Sequence, residues 1–291
     1  MKTVSVIIPT YNRYSMLCEA IESVMAQKDV QVEIIVVDDN SSDETSNINS
    51  VFSNITYIKS VPNVGPGLNR RRGFNSSNGD YVVFLDDDDF YVDDLFFKKA
   101  VDILEKYMGV AFVSGNSNKY EMPDGLSTPI TMPIEGYVDG KYYLNNFMVK
   151  LPKPSSTFPT VFRKSSLLKA GVDTMVEVND ASIYLRALTQ GDVFFIKDIV
   201  GNYRFHKCNI TKSLDPCLII RNMAEKNYIL QVAKDKLYDS QLWYLGQMMI
   251  TYGYYLECNP PKIDQYKVLL WLVTHGHGYP KIYSYVLKML F

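Results

Sequence analysis

Short apolar runs alternate with amphipathic segments through the first 114 residues. Val4–Ile8 is apolar and β-branched, as in a buried strand, and residues 16–26 carry apolar side chains at the spacing of one helix face. The alternation continues and predicts strands at 33–37, 55–58, 81–85 and 110–114, a helix opening at a Ser41/Glu44 capping box, and helices at 67–77 and 93–107. This order implies an α/β fold, with a mostly parallel sheet flanked by helices on both faces.

The character of the chain changes twice beyond this region. Residues 115–160 are rich in Pro, Gly and Ser and are expected to form loops and short strands. Helices are predicted at 165–170 and 178–189, a strand at 193–196, and long aromatic-rich helices after 214. We therefore divide the chain into a domain of residues 1–213, with halves 1–114 and 115–213, and a helical C-terminal region of residues 214–291.

The composition is that of a soluble globular protein, since 47% of the 291 residues are hydrophobic and 21% are charged. The formal net charge of −2 offers no basic field, so no nucleic acid partner is expected. Val4–Ile8 is too short for a signal-peptide core, and no stretch reaches the roughly 20 apolar residues of a membrane span. A cytoplasmic location is expected, and the four scattered cysteines are expected to be free thiols.

Three polar clusters follow predicted strands directly: Thr10-Tyr11, Asp38-Asp39 and Asp86–Asp89. Because the carboxyl ends of parallel strands lie at one edge of a sheet, and ligands bind in the crevice there, these clusters are expected to converge on a site. Four adjacent carboxylates repel one another unless a cation or solvent screens them. Oxygen ligands suit Mn²⁺ or Mg²⁺, so the tetrad predicts a metal site, with a solvated acidic turn as the alternative.

Other segments carry groups suited to a nucleotide and to proton transfer. Asp38 or Asp39 can accept the N–H of a pyrimidine base, or can simply belong to a helix N-terminus. The guanidinium groups of Arg70–Arg72 match phosphate oxygens, with a solvated basic helix face as the alternative. Asp180 lies near a predicted helix start and can act as a general base or as an N-cap. His206, in the polar segment after Arg204, is a candidate metal or phosphate contact.

Six segments occur in order along roughly residues 1–213: VSVIIPTYNR, EIIVVDDNSSDET, NVGPGLNRRRG, GDYVVFLDDDDF, NDxSxxLR and YRFHxxNIT. Together they resemble the inverting glycosyltransferases of family 2, whose fold is GT-A, a Rossmann-like architecture. The resemblance implies a GT-A domain over residues 1–213, with a nucleotide-binding half at 1–114 and an acceptor half at 115–213.

The resemblance also implies residue roles. It places Pro9, Thr10, Tyr11 and Arg13 at the nucleotide sugar, with Tyr11 beside the uracil ring. Asp39 would hydrogen-bond the base, and Arg70 would reach the phosphates. Asp86 and Asp88 match the D-x-D pair, with Asp88 as the first choice of metal ligand, and Asp87 stands between them at the sugar nucleotide. Asp180 matches the general base, and His206 a residue near the metal and diphosphate.

Three positions depart from the family pattern. Asn179 stands where the family has a glutamate before the base, so a helper carboxylate is missing; we place Asn179, with Arg204, at the acceptor and diphosphate. The segment Asn69-Arg70-Arg71 leaves the register of the arginine open. Asp87 occupies the middle of the D-x-D pair, so the metal ligand can shift by one position within the tetrad.

The C-terminal region ends in a positive, amphipathic stretch. After Pro261 there are four lysines against one aspartate, and residues 282–290 place apolar side chains on one helix face. One interpretation is peripheral contact with the inner face of the cell membrane, which would bring a lipid-linked acceptor within reach. The other is packing against the domain, or against a second copy in a homo-oligomer.

The resemblance implies transfer of a hexose or N-acetylhexosamine from a UDP-sugar to a saccharide or lipid-linked oligosaccharide acceptor. A place in bacterial surface polysaccharide synthesis, of lipopolysaccharide or capsule, follows only by family analogy. The alternative is a non-catalytic nucleotide- or saccharide-binding module of the same fold, which Asn179 favours and Asp180 opposes. A nucleotidyltransferase would need a Gly- and Lys-rich phosphate loop after Ile8, and none is present.

Overall fold

A computed structural model describes residues 2–205, 215–276 and Ser284. The strands are β1 (Thr3–Thr10), β2 (Gln31–Asp38), β3 (Ile55–Lys59), β4 (Tyr81–Phe84), β5 (Phe90–Tyr91), β6 (Val110–Glu121), β7 (Leu126–Ile130), β8 (Gly136–Val138), β9 (Thr160–Arg163) and β10 (Asp192–Phe205). The helices are α1 (Tyr14–Met25), α2 (Ile48–Val51), α3 (Pro66–Ser76), α4 (Phe96–Lys106), α5 (Gly140–Asn146), α6 (Lys164–Lys169), α7 (Asp180–Leu188), α8 (Pro216–Val232), α9 (Ser240–Glu257) and α10 (Lys262–His275).

The described strands form one sheet in the order β3-β2-β1-β4-β9-β6-β10-β5, with β7 beside β6 and β8 beside β10. The strands from β3 to β4 are mutually parallel, and β6 runs parallel to β10 over a long register. Strand β9 joins these two groups and is antiparallel to both neighbours. The predicted mostly parallel α/β sheet is confirmed, and β9, which no sequence pattern predicted, bridges its two halves.

Side-chain hydrogen bonds explain why two predicted helix starts differ from the structure. The capping box is wrong: the Asp43 side chain caps a 3₁₀ turn at Glu44–Asn47, and α2 is a single turn. Ser41 is used elsewhere, because its N–H donates to Asp38 Oδ1 at 2.8 Å and its hydroxyl accepts from the N–H of Asn12 at 2.9 Å. Helix α4 begins at Phe96 rather than 93, since the Asp93 side chain accepts from the N–H of Leu95 and forms a local turn.

Apolar side chains pack on both faces of the sheet. Val6 and Ile8 of β1 join helices α1, α2 and α4 in one cluster. Ile7, pointing the opposite way, joins α3 and α5–α10 in the other. The two clusters follow from the two-residue side-chain period of a strand that is buried on both faces.

The C-terminal helices share the second cluster. Trp243 and Gln247 of α9 also donate hydrogen bonds to the carbonyls of Leu144 and Phe147, at 2.9 and 2.7 Å. The described part of the region therefore packs on the domain. Within the described ranges, no helix has both the length and the apolar content needed to cross a bilayer. The amphipathic stretch at 282–290 lies outside the described residues except for Ser284.

Gly73 sets the distance between α3 and the sheet. A Cβ at this position would lie 2.3 Å from Ile7 Cγ2 and 3.2 Å from Val37 Cγ2. We expect Gly73→Ala to lower the free energy of unfolding by about 1–3 kcal/mol, because the helix must move away from the strand. A Cβ added at Gly253 of α9 would meet no atom of a neighbouring element within 4 Å. Gly253→Ala should therefore raise the free energy of unfolding by about 0.5–1 kcal/mol, because glycine is unfavourable within a helix. Urea unfolding of both variants tests the pair; equal effects would contradict the packing argument.

Candidate active site

The polar clusters that follow β1, β2 and β4 lie together at the carboxyl edge of the sheet. The Thr10 hydroxyl donates to Asp87 Oδ2 at 2.8 Å, across the β1–β4 pairing. The N–H of Asp39 donates to the carbonyl of Thr10 at 2.9 Å, across the β1–β2 pairing. The predicted convergence is therefore confirmed.

Arg13 joins two members of the tetrad. Its Nη1 lies 2.8 Å from Asp87 Oδ1 and 2.9 Å from Asp88 Oδ2. Asp87 and Asp88 are buried, so the positive charge of this guanidinium compensates carboxylates that water hardly reaches. Arg13 belongs to the predicted nucleotide pocket, and the structure places it against the carboxylates.

Arg70 links the tetrad to the segment before α7. This buried guanidinium pairs with the Asp86 carboxylate, and its Nη1 donates to the carbonyl of Val178 at 3.2 Å. Val178 is two residues before Asp180, so Arg70 connects both candidate carboxylate sites. Of the three adjacent arginines, Arg70 is thus the one in the site; Arg71 donates to the carbonyl of Met175 instead.

Arg13 and Arg70 pair with three of the four carboxyl groups of the tetrad. Burial raises the pKa of Asp87 to about 7, and the Asp88 charge adds to this against the opposing effect of Arg13. Burial also raises the pKa of Asp86, opposed by Arg70, and raises that of Asp89 well above its usual value. Asp89 Oδ1 accepts from the N–H of Arg204 at 3.0 Å, whereas its buried Oδ2 has no hydrogen-bond partner among the residues that the structure describes. An added cation would stabilise this cluster.

The donor set fits a hard divalent cation. The described residues contain no group of three or more His, Cys, Asp or Glu side chains that could together hold a metal ion. Such a group is not required, because Mg²⁺ usually binds through one or two carboxylates together with substrate phosphates. Asp88 and Asp86 are the candidate ligands, and they remain a prediction. His206, the third predicted ligand, lies outside the described residues.

Asp39 is held by the loop before α3. Its carboxylate oxygens accept from the N–H groups of Val64 and Gly65, at 2.7 and 2.9 Å. These bonds shape the turn in which Gly65 adopts a φ of +86° before the helix begins. Contact of Asp39 with a base stays a prediction. Tyr11 is 49% exposed and Pro9 lies within β1.

Asp180 is the first residue of α7, which begins two residues later than the predicted start at 178 and so keeps Asp180 at the helix start. The preceding Asn179 caps the helix, since its side-chain oxygen accepts from the N–H of Ser182 at 3.1 Å and its amide contacts Asn222 of α8. A carboxylate at the first helical position is favoured by the positive end of the helix dipole. Asn179 therefore fixes the position of Asp180, and its contact with an acceptor stays a prediction.

The backbone N–H of Arg204, in β10, contacts Asp89 of the tetrad. The Arg204 guanidinium contacts the Glu19 carboxylate and lies 4.6 Å from the Phe90 ring centroid. Sequence reasoning missed Glu19, which sits on α1 without any motif. It also missed Lys153, whose ammonium lies 3.4 Å from Asp180 Oδ2. A lysine in a proline-containing loop carries no sequence signal for a contact with an aspartate 27 residues away.

Comparison with known proteins places the chain in a family. A sequence profile described as Glycosyl transferase family 2 matches residues 5–187. A Campylobacter jejuni protein named GalNAc(5)-diNAcBac-PP-undecaprenol beta-1,3-glucosyltransferase is 30% identical over 219 residues, covering 71% of this chain and 66% of that protein. An uncharacterized glycosyltransferase of Rickettsia felis is 40% identical over 107 residues, covering 36% of this chain and 17% of that protein.

Solved structures of other proteins have a fold similar to that of this chain. The crystal structure of Staphylococcus aureus TarS 1-349 in complex with UDP-GlcNAc superimposes with a TM-score of 0.64 at 17% identity, covering 98% of this chain and 90% of that one. At this identity the likeness shows the fold alone, which is GT-A. With the fold, the sheet-edge site and the matched profile in agreement, the chain belongs to glycosyltransferase family 2.

Proposed function

We propose that this chain transfers a hexose or N-acetylhexosamine from a UDP-sugar to a saccharide hydroxyl, with inversion at the anomeric carbon. One observation carries the proposal: Arg70 pairs with Asp86 and donates to the carbonyl of Val178, two residues before the candidate base Asp180, so one guanidinium links the acidic tetrad to the segment that carries this base. This link supports a single site that serves both the leaving diphosphate and the attacking hydroxyl.

The residues divide the reaction between them. Asp180 accepts the proton of the acceptor hydroxyl as its oxygen forms the bond to the anomeric carbon, and the bond from that carbon to the diphosphate breaks to release UDP. Asp88 and Asp86 would hold Mn²⁺ or Mg²⁺, which when bound offsets charge on the diphosphate. Arg70 and Arg13 keep the carboxylates in place.

The donor and acceptor classes are supported by relatives. The TarS crystal contains UDP-GlcNAc, and the Campylobacter protein is named as a glucosyltransferase acting on an undecaprenol-linked saccharide. A UDP-sugar donor and a lipid-linked oligosaccharide acceptor are the corresponding proposals for this chain. By family analogy, we place this reaction in surface polysaccharide synthesis.

The test is release of UDP from UDP-glucose and UDP-GlcNAc by the full chain with Mn²⁺, with water as the slow acceptor. We expect UDP release that stops when the ion is chelated. Binding of UDP, seen as a rise in melting temperature, without any release from either donor would favour the non-catalytic module.

A membrane contact through α10 is a further part of the proposal. Ile263, Tyr266, Leu270 and Val273 are exposed along one side of this helix, and Lys262 lies at its start. Apolar and aromatic side chains bordered by lysines suit an anionic bilayer surface, where the acceptor lipid resides.

The membrane contact predicts weaker vesicle binding when this side of α10 becomes polar. We expect the double variant Ile263→Asn, Leu270→Asn to sediment less with phosphatidylglycerol-containing vesicles than the unchanged chain, while UDP release in solution persists. Val51→Asn, an exposed apolar position on α2, is the matched control and should bind as before. Equal sedimentation of all three proteins would reject the contact.

A further inference from the structure

Glu177 lies over the first turn of α3. A Cβ added at Gly67 would lie 1.9 Å from Glu177 Oε1, so the carboxylate occupies space that only a glycine at position 67 leaves open. Arg70 is one turn further along the same side of α3, and it donates to the carbonyl of Val178, the residue after Glu177. Residues 177 and 178 therefore run along one side of α3, with Glu177 at the helix start.

The Glu177 carboxylate is sheltered from water but lacks donors. Its side chain is 16% exposed, and among the residues that the structure describes no group donates a hydrogen bond to it. Arg221 Nε lies 3.8 Å from Oε2, which is too far for a hydrogen bond. Burial raises the pKa of this carboxyl, and the charges of Arg221 and Arg70 oppose that effect. A sheltered carboxylate without donors is costly, so the donors of a ligand would stabilise it.

Glu177 is on the donor side of the site. The loop before α3 holds Asp39, the residue expected at the uracil ring, and Arg70 of α3 pairs with Asp86, which is expected at the diphosphate. The donor sugar is attached to that diphosphate and carries several hydroxyl groups. An ionised carboxylate only accepts hydrogen bonds, so it suits the hydroxyl groups of a sugar and repels a phosphate.

We propose that Glu177 is a specificity-determining residue that accepts hydrogen bonds from hydroxyl groups of the donor sugar. This role rests on the proposed function, in which the donor is a UDP-sugar. It is distinct from the proton transfer assigned to Asp180, three residues later. It is also distinct from the role of Asn179, whose side-chain oxygen caps α7.

The experiment compares binding of UDP-glucose and UDP-GlcNAc with binding of UDP, by isothermal titration calorimetry of the full chain with Mn²⁺. We expect Glu177→Gln to raise the Kd of the UDP-sugar about tenfold, because a hydrogen bond to a charged acceptor is stronger than one to a neutral amide. The Kd of UDP should be unchanged, since UDP lacks the sugar. Glu135→Gln makes the same change at an exposed residue that pairs with Lys197, and it should bind all three ligands as the unchanged chain does.

Gly67→Ala moves the carboxylate without removing it. The added Cβ must displace the end of the Glu177 side chain, so this variant should also weaken binding of the UDP-sugar about tenfold and leave binding of UDP unchanged. In Glu177→Ala the displaced group is absent, so adding Gly67→Ala to that variant should cause no further loss. Two independent losses that multiply in the double variant would contradict the placement of Glu177 over Gly67.

The outcomes separate this inference from the proposed function. An unchanged Kd of the UDP-sugar in Glu177→Gln, or an equal loss for UDP and the UDP-sugar, would overturn the sugar contact. If the unchanged chain binds a UDP-sugar but releases no UDP from it, the proposed function fails, and the Kd values still decide the role of Glu177. If the unchanged chain binds neither UDP-sugar, both are overturned.

Discussion

Asp180→Asn is expected to lower the rate of sugar transfer by about 10²–10⁴-fold, the usual contribution of a general base, while UDP binding is unchanged. The amide has the shape of the carboxylate but cannot accept the proton of the attacking hydroxyl. Asp180 is the first residue of α7, which Asn179 caps, so the helix should form normally in the variant. UDP release from UDP-glucose or UDP-GlcNAc measures the rate, and isothermal titration with UDP measures binding.

Asp173→Asn provides the matched control for this prediction. It removes one carboxylate from a short 3₁₀ turn a few residues before α7, outside the site, and activity should persist. Undiminished turnover in Asp180→Asn would show that Asp180 is not the general base. A loss of UDP binding together with turnover would indicate instead that the carboxylate serves the donor.

Asp88→Asn should abolish stimulation by Mn²⁺ and lower UDP release at least about 100-fold. A bound metal ion contributes on the order of several kcal/mol to a charged transition state, and about 1.4 kcal/mol corresponds to a factor of ten. Arg13 retains Asp87 as its partner at 2.8 Å, so loss of activity in this variant would not reflect a free guanidinium. UDP release titrated with Mn²⁺ is the measurement.

Asp86→Asn and Asp102→Asn complete that experiment. Asp102 is exposed on α4 and pairs with Lys98, so its variant should respond to Mn²⁺ as the unchanged chain does. If Asp88→Asn keeps its metal response and Asp86→Asn loses it, the ligand assignment has shifted within the tetrad. If both keep it, the tetrad is not the metal site.

Much of the fold was readable from local pattern. The spacing of apolar residues distinguishes a strand such as β1 from a helix such as α1, because the two structures bring different residue spacings onto one face. The parallel order then places the residues after β1, β2 and β4 at one edge, which is why Thr10 and Asp87 could be predicted to meet. The predicted strands end too early where polar residues continue a strand, as in the long β6 and β10. Asn118 of β6, for example, donates to the side chain of Asn202 of β10 at 3.0 Å.

The sequence alone determined the α/β class, the family resemblance and the edge at which the aspartates gather, since these depend on residue type and order along short segments. Only the tertiary structure decided which basic side chain forms an ion pair with which carboxylate. Arg13 pairs with Asp87 and Asp88 over more than 70 residues, and Lys153 with Asp180 over 27. Such pairs arise from the packing of separate elements, which leaves no periodic signal in the sequence.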